Sequence, residues 1–331
     1  MDFWHRLPRP IFSLAPMEDV TDAAFRRLIA QKSDSGIPRV MFTEFTSADG
    51  LVLADEHGKK KLLRKLLYAE IERPIVAQLF TSSPERMEQA AALAAEFGFD
   101  GLDINMGCPV NEVVRQECGA ALIRNPALAR ELIRAAKRGF AGPVSVKTRI
   151  GYNTDELETW LPELLAEDLA AITLHLRTRK EMSEVPAHWE RMARAVQIRN
   201  ERQGDALTHT LILGNGDVKS LDDARTKAAE TNCDGVMLGR AIYGNPWLFS
   251  GRTDEPSPKE RIEALLEHLQ LFDELLSDVT NYAIMKKHFK AYISGWPASA
   301  GRDGAKELRA KLMETESVEE ASVLLESGRR V

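Results

Sequence analysis

Gly101-Leu102-Asp103-Ile104-Asn105-Met106-Gly107-Cys108-Pro109 joins a short apolar run, residues 101–104, to a turn that carries a lone thiol. The run reads as a buried strand. Pro109 stops it from continuing, Gly107 permits a tight turn and Asn105 offers an amide beside the sulfur. A thiol placed there faces a pocket; on these residues alone, a small hydrophobic cysteine in a strand-to-helix loop is the equal alternative. Outward from this stretch, further runs rich in Val, Ile and Leu lie at 11–14, 40–43, 75–79, 144–146, 171–174, 210–213 and 235–238. Between them, residues 21–31, 84–97, 126–138, 156–167, 188–201 and 220–230 mostly space their apolar side chains as helices do. Thr21 and Ser83 before Pro84 look like N-caps, and Ser220 stands three residues before Asp223.

This alternation predicts a (β/α)8 TIM barrel over residues 1–250, with a C-terminal α-helical domain over 255–331. A doubly wound open sheet is the rival, but no GxGxxG opens a helix: Gly214-Asn215-Gly216 runs on into Asp217-Val218-Lys219. Residues 251–258 read as a Gly/Pro/Ser/acidic linker, and 258–277, 282–293 and 304–313 are amphipathic.

With 44% hydrophobic and 28% charged residues, the 331-residue chain has material for one large core and a smaller appendage. No apolar run approaches the roughly 20 residues that span a bilayer, and Met1-Asp2-Phe3-Trp4-His5 lacks the features of a signal peptide, so no membrane contact and a cytoplasmic location are expected. A monomer is the expected state, though nothing in the sequence fixes it. Cys108, Cys118 and Cys233 are too few and too separated for a disulfide framework, and no spacing suggests a metal. A net charge of −6 argues against indiscriminate nucleic-acid binding. Local fields differ: 281–311 carries Lys286, Lys287, Lys290, Arg302, Lys306, Arg309 and Lys311, and a second knot comprises Lys59-Lys60-Lys61, Arg64 and Lys65. A solvated helix face is the ordinary reading of either cluster.

In a barrel, chemistry belongs to the C-terminal strand ends. Those ends carry Glu18 after Ala15-Pro16-Met17, Glu44, Gln78, Asn105, Lys147, His175, Asn215 with Asp217, and Arg240. Gly214-Asn215-Gly216-Asp217 and Gly239-Arg240, at the seventh and eighth ends, suit a phosphate, since glycine lets backbone N–H groups approach and arginine adds a charged fork. Two ordinary turns are the alternative. Gln78, Asn105 and Lys147 suit a flavin, whose reduced ring gathers negative charge that a lysine stabilises. The run 144–149 is expected to direct the successive charges Lys147 and Arg149 to opposite sides. His175, beside Arg177 and Arg179, is expected to meet phosphate or substrate.

Taken together, these segments resemble the tRNA-dihydrouridine synthases, FMN-dependent barrels with a helical C-terminal domain. The carriers are Ala15-Pro16-Met17-Glu18-Asp19-Val20-Thr21-Asp22, Gln78-Leu79, Asp103 through Pro109, Gly119-Ala120-Ala121-Leu122, Lys147-Thr148-Arg149, His175-Leu176-Arg177-Thr178-Arg179, Asn215-Gly216-Asp217, and Leu238-Gly239-Arg240 through Trp247. The resemblance implies that Cys108 is the general acid, giving a proton to uracil C5 while flavin delivers hydride to C6. It implies FMN contacts at Pro16, Met17, Glu18, Gln78, Lys147, His175, Asn215, Gly216, Asp217, Gly239 and Arg240. It further implies that Asn105, Arg149 and His175 grip the uracil or the flavin phosphate, that NADPH or NADH is the reductant, and that Lys286, Lys287, Lys290, Arg302 and Lys306 hold tRNA.

The sequence departs from that pattern at Phe80-Thr81, at Met182-Ser183, where an aromatic is common in relatives, and at Cys118, either a packing substitute or a second thiol in reach. Two other readings stay open: a flavin barrel acting on a small pyrimidine, as in dihydroorotate dehydrogenases, and a tRNA-binding protein whose redox chemistry is dispensable.

Overall fold

Eight parallel strands close into a ring in the computed structural model, which describes residues 2–204, 209–294, 296 and 304–329. They are β1 (Ile11–Leu14), β2 (Arg39–Phe42), β3 (Ile75–Phe80), β4 (Gly101–Met106), β5 (Val144–Gly151), β6 (Ala171–Thr178), β7 (Leu211–Asn215) and β8 (Gly235–Leu238). Each pairs in parallel with its sequence neighbours, and β1 lies against β8 with Ile11 beside Gly235, which closes the ring. A two-residue strand, Thr46–Ser47, runs along the end of β3. The strands are buried on both faces, which is why they read as continuous apolar runs rather than as alternating ones. Inside the barrel, Ile11, Val40, Phe42, Val76, Leu213 and Met237 make a compact cluster, and Trp4 from a short N-terminal helix is wholly buried against it.

The outer shell is α1 (Ala23–Lys32), α2 (Ala48–Leu53), α3 (Glu56–Lys65), α4 (Pro84–Glu96), α5 (Pro126–Gly139), α6 (Leu157–Leu165), α7 (Met192–Gln203) and α8 (Leu221–Thr231). Ser83 and Ser220 cap α4 and α8 as expected, accepting from Arg86 N and Asp223 N. Asp22, not Thr21, caps α1, accepting from Phe25 N at 2.9 Å. The Thr21 hydroxyl instead braces the loop before it, accepting from Met17 N at 2.8 Å and donating to Ala15 O.

β4, β5 and β6 run beyond the apolar stretches that announced them. Ladder pairing carries through the polar residues, with Asn105 beside Lys147, Met106 beside Thr148 and Arg149 beside His175. Asn105, Lys147, Arg149 and His175 therefore project from strand backbone rather than from loops.

After the linker, the described residues form only helices: α9 (Pro258–Leu276), α10 (Lys286–Tyr292), α11 (Ala305–Glu314) and α12 (Val318–Arg329), with a 3-10 turn over Tyr282–Met285. Ser257 and Glu260 form a capping box at the start of α9. α9 packs along α1, where the Phe25 ring lies 4.7 Å from His268 and 4.8 Å from His288. One contiguous apolar cluster joins Leu28 and Ile29 of α1 to Leu265, Phe272 and Phe289. Arg302 falls outside the described residues. Among the described residues no helix is long and apolar enough to cross a membrane.

Beneath α1 a wholly buried ion pair joins Arg26 Nε to Glu72 Oε2 at 3.1 Å, and Arg26 also donates to the carbonyls of Thr21 and Leu67. Glu72 accepts in turn from Arg27 and from Ala69 N. Removing one partner strands the other charge away from water. Glu72→Ala is expected to lower the unfolding free energy by about 3–5 kcal/mol in urea titrations; a loss under about 1 kcal/mol, the range of surface pairs, would show that the pair is not isolated from solvent.

Candidate functional site

A cavity of about 270 Å³ opens at the C-terminal end of the barrel, and Ala15, Pro16, Met17, Lys147, His175 and Arg177 form one side of it. Ser183, Asn215, Gly216, Asp217, Val218, Met237, Gly239 and Arg240 complete its wall. Nine of the expected site residues thus share one cavity: Pro16, Met17, Lys147, His175, Asn215, Gly216, Asp217, Gly239 and Arg240. Arg177 and Ser183 belong to it too. The signal for Arg177 was the two-residue strand period, since it follows His175 on the same face of β6.

The cavity is strongly electropositive. Burial holds His175 well below its ordinary value, and Lys147, Arg149, Arg177 and Arg240 push it further down, so the ring is neutral. Arg177 Nη1 lies 3.2 Å from His175 Nε2; arginine only donates, so that nitrogen is the acceptor and the proton sits on Nδ1. Burial and Arg149 bring Lys147 down to about 8. Asp217, just past β7, offers one carboxylate oxygen to Arg177 and the other to Arg240, while Ala187 N donates to it at 2.9 Å. Asn215 donates to Met237 O at 2.9 Å and fixes β7 against β8.

Lys147 and Arg149 do not go to opposite sides. Both act on the Cys108 thiol and on His175, because residues two apart in a strand share a face. Arg149 is buried, its Nε donating to Gly107 O at 2.8 Å and its Nη1 to Thr178 O and Met182 O, both at 2.9 Å. Its guanidinium ties the Cys108 turn to the segment after β6.

A hydrogen-bonded chain crosses β3, β4 and β5 to the same turn. Ser145 donates to Asp103 Oδ1 at 2.6 Å, Gln78 Nε2 to Asp103 Oδ2 at 2.7 Å, and Asn105 Nδ2 to Gln78 Oε1 at 3.0 Å. Asn105 Oδ1 then accepts from Gly107 N at 3.1 Å and Cys108 N at 2.9 Å. Burial raises Asp103 to about 6. Gln78 is wholly buried, and both of its amide heteroatoms are engaged within the chain.

From behind, Ala120 N donates to Cys108 O at 3.0 Å, and Gly119, at φ +61, lies so close that a Cβ there would meet Cys108 O at 2.7 Å. Only a residue without a side chain fits. Cys108 is partly exposed, while Cys118 and Cys233 are buried. Burial raises the Cys108 thiol above its ordinary value against the pull of Arg149 and Lys147. Cys118 is pushed up to about 11 and donates to Gln116 O at 3.3 Å, which agrees with its reading as packing.

Glu18 lies outside the cavity and pairs with Lys65. Its neighbour Asp19 accepts from Lys287 at 2.7 Å, and Asp19 N donates to the buried Glu44. Burial and nearby carboxylates raise Glu44 to about 7. Of the basic residues on the C-terminal helices, Lys286 donates to Met313 O, while Lys290 and Lys306 line one groove with Arg309.

Residues 13–328 match the dihydrouridine synthase family model. The chain is 43% identical over 331 residues to the "Probable tRNA-dihydrouridine synthase 2" of Bacillus subtilis (strain 168), covering 99% of this chain and 97% of that one. It is 40% identical over 327 residues to the "Probable tRNA-dihydrouridine synthase" of Staphylococcus aureus (strain COL), covering 98% and 95%. Among solved structures, 2-naphthoyl-CoA reductase superposes with a TM-score of 0.52 at 13% identity, over 74% of this chain and 52% of that one. That likeness is of fold alone, and this chain spans about half the length of that structure.

Two outcomes follow from the electrostatics. Lys147 is charged below about pH 8 and neutral above it; sulfate is therefore expected to raise the thermal midpoint of the ligand-free protein more at pH 6.5 than at pH 9, and Lys147→Met to flatten that difference. An equal shift at both pH values would contradict the charge assigned to Lys147. Iodoacetamide is expected to label Cys108 ahead of Cys118 and Cys233, slowly at pH 7 and faster as the pH passes the ordinary thiol range. Prior labelling of either buried thiol would contradict the exposure seen.

Proposed function

The chain belongs to the dihydrouridine synthase family, and on that premise we propose that it reduces the C5–C6 bond of uridines in tRNA to 5,6-dihydrouridine, with FMN as its bound cofactor and NADPH or NADH as reductant. The observation that carries this reading is a protonated, partly exposed thiol held by a rigid turn beside a cation-lined cavity.

The residues present fit FMN. Four cations bear on His175 with one shared carboxylate, Asp217, between two of them, an excess of positive charge that suits a phosphate. Gly239 lines the cavity, and a Cβ on it would approach Met17 Sδ at 3.5 Å and Ala15 Cβ at 3.6 Å, taking up space that a ligand would use. Arg177, Arg240 and His175 would hold the phosphate, and Pro16, Met17, Asn215 and Gly216 the remainder of the cofactor, with Lys147 at the flavin. When bound and reduced, FMN supplies a hydride to uracil C6.

Cys108 supplies the proton. Burial keeps the sulfur protonated at neutral pH, so it can give H+ to C5 as the C5–C6 double bond accepts hydride. The thiolate left behind is stabilised by Arg149 and Lys147, and it regains its proton from solvent. Asn105 has its carbonyl on the backbone of the turn and its amide on Gln78, so its part is to orient Cys108. A target base within folded RNA must be turned out of its stack, which costs a few kcal/mol that contacts elsewhere offset. Residues 255–331 are assigned that role, with Lys290 and Lys306 in their shared groove as backbone contacts, joined by Lys286, Lys287 and Arg302. Residues 1–250 are assigned the chemistry.

Dihydrouridine should appear in tRNA incubated with the FMN-loaded protein and NADPH, and mass spectrometry of the digested RNA would detect it. Cys108→Ala should slow its formation by about 100-fold or more, the usual contribution of a general acid, with FMN content unchanged. Wild-type turnover in that variant would reject the assigned acid.

A further inference from the structure

Helix α3 carries Lys59, Lys60, Lys61, Arg64 and Lys65 in ten residues, within a chain whose net charge is −6. The cations of this helix repel one another. Lys60 with Arg64 and Lys61 with Lys65 are like charges four residues apart, side by side on the helix surface, where they repel. No residue of α3 is fully buried; Leu62 and Leu63 pack against the core and anchor the helix, and its cations stay on the outside. The helix dipole favours cations in the last turn and leaves those at 59–61 unassisted.

Nearby carboxylates neutralise only part of this charge. Asp278, just past α9, is shared by Lys60 at 3.0 Å and Arg64 at 2.9 Å. Glu18 takes Lys65. Lys59 and Lys61 make no ion pair among the described residues; Lys61 is exposed at the edge of a cleft that also holds Glu18, Asp19, Asp22 and Glu44. Lys59, Lys60 and Arg64 line an open groove of about 660 Å³ together with Leu63, Leu67, His57 and a single carboxylate, Glu56.

Position gives this charge a use. At one end Lys65 reaches Glu18, next to the Pro16-Met17 wall of the cavity; on its other side α3 reaches Asp278, between α9 and α10. The helix spans the gap between the cavity and the C-terminal helices, whose own basic groove holds Lys290, Lys306 and Arg309.

We propose that the outer face of α3 is a docking surface for an RNA sugar-phosphate backbone, with Lys60 and Arg64, shared between RNA and Asp278, at its centre and Lys59 and Lys61 meeting phosphates on its two flanks. This rests on the tRNA reading above and adds a second contact region on the barrel side of the cavity. A polyanion relieves the repulsion within the helix, and release of its counterions adds affinity that falls as salt rises.

The test is tRNA binding by the FMN-loaded protein as a function of salt, for Lys59→Ala/Lys61→Ala, for Lys61→Glu, and for a control, Arg138→Ala/Arg202→Ala, at the opposite end of the barrel. The first variant is expected to bind roughly tenfold more weakly at physiological salt, and the slope of log K against log salt is expected to shrink by about one per lysine. KM for tRNA should rise with kcat unchanged. FMN content and the thermal midpoint should hold, since removing like charges does not weaken the helix. Lys61→Glu should weaken binding further, and the control should bind as wild type does. Wild-type affinity and slope in both α3 variants, or an equal loss in the control, would overturn the docking surface. Dihydrouridine formation by the wild-type preparation separates the two readings: without it the tRNA reading fails, and with it an unaffected α3 variant rejects this surface alone.

Discussion

The backbone of the Cys108 turn is held by one side-chain oxygen. Asn105 Oδ1 accepts from both Gly107 N and Cys108 N, and it can do so only because its own amide is pinned to Gln78, which is pinned to Asp103, which accepts from Ser145. Every member is buried, so each unmade bond would carry a desolvation cost of about 1–3 kcal/mol. The chain crosses three adjacent strands and locks their register where the thiol leaves the sheet. Arg149 closes the other flank by donating to Gly107 O.

Around that turn, two opposing electrostatic effects meet. Burial disfavours charge on sulfur and raises the thiol, while Arg149 and Lys147 favour the thiolate and lower it, and burial is the larger. The outcome suits a proposed acid: protonated before the reaction, with its conjugate base met by two cations afterwards. The same burial keeps His175 neutral among four cations, so it acts through hydrogen bonds rather than charge. Asp217 tempers the excess by bridging Arg177 and Arg240, leaving a field that can hold an anion without the cations driving one another apart.

Much of this was legible in the chain. The eight apolar runs became the eight barrel strands because, in an all-parallel ring, both strand faces are buried and hydropathy alone marks them. The phosphate-suited turns after β7 and β8 meet at one cavity, as strand order in a barrel requires. Strand ends were less legible: the apolar run stops at Val146, yet ladder partners on both sides hold Lys147-Thr148-Arg149 extended. Pairing between side chains was hidden altogether. Nothing local to Gln78 announces that Asp103 and Asn105 will consume its amide, and nothing local to Asp19 announces Lys287, 268 residues away. Such partners depend on tertiary proximity, which hydropathy does not encode.

The Cys108 sulfur is proposed to give its proton to the pyrimidine. A structure of the FMN-loaded protein with tRNA bound measures this most directly, through the distance from Cys108 Sγ to C5 of the target uridine. The predicted result is a base turned into the cavity with that sulfur at about 3.5 Å from C5, the separation of a near-attack arrangement, on the face away from the flavin. A uridine seated in the cavity with another proton donor nearer to C5, or with the sulfur turned into the protein interior, would contradict it.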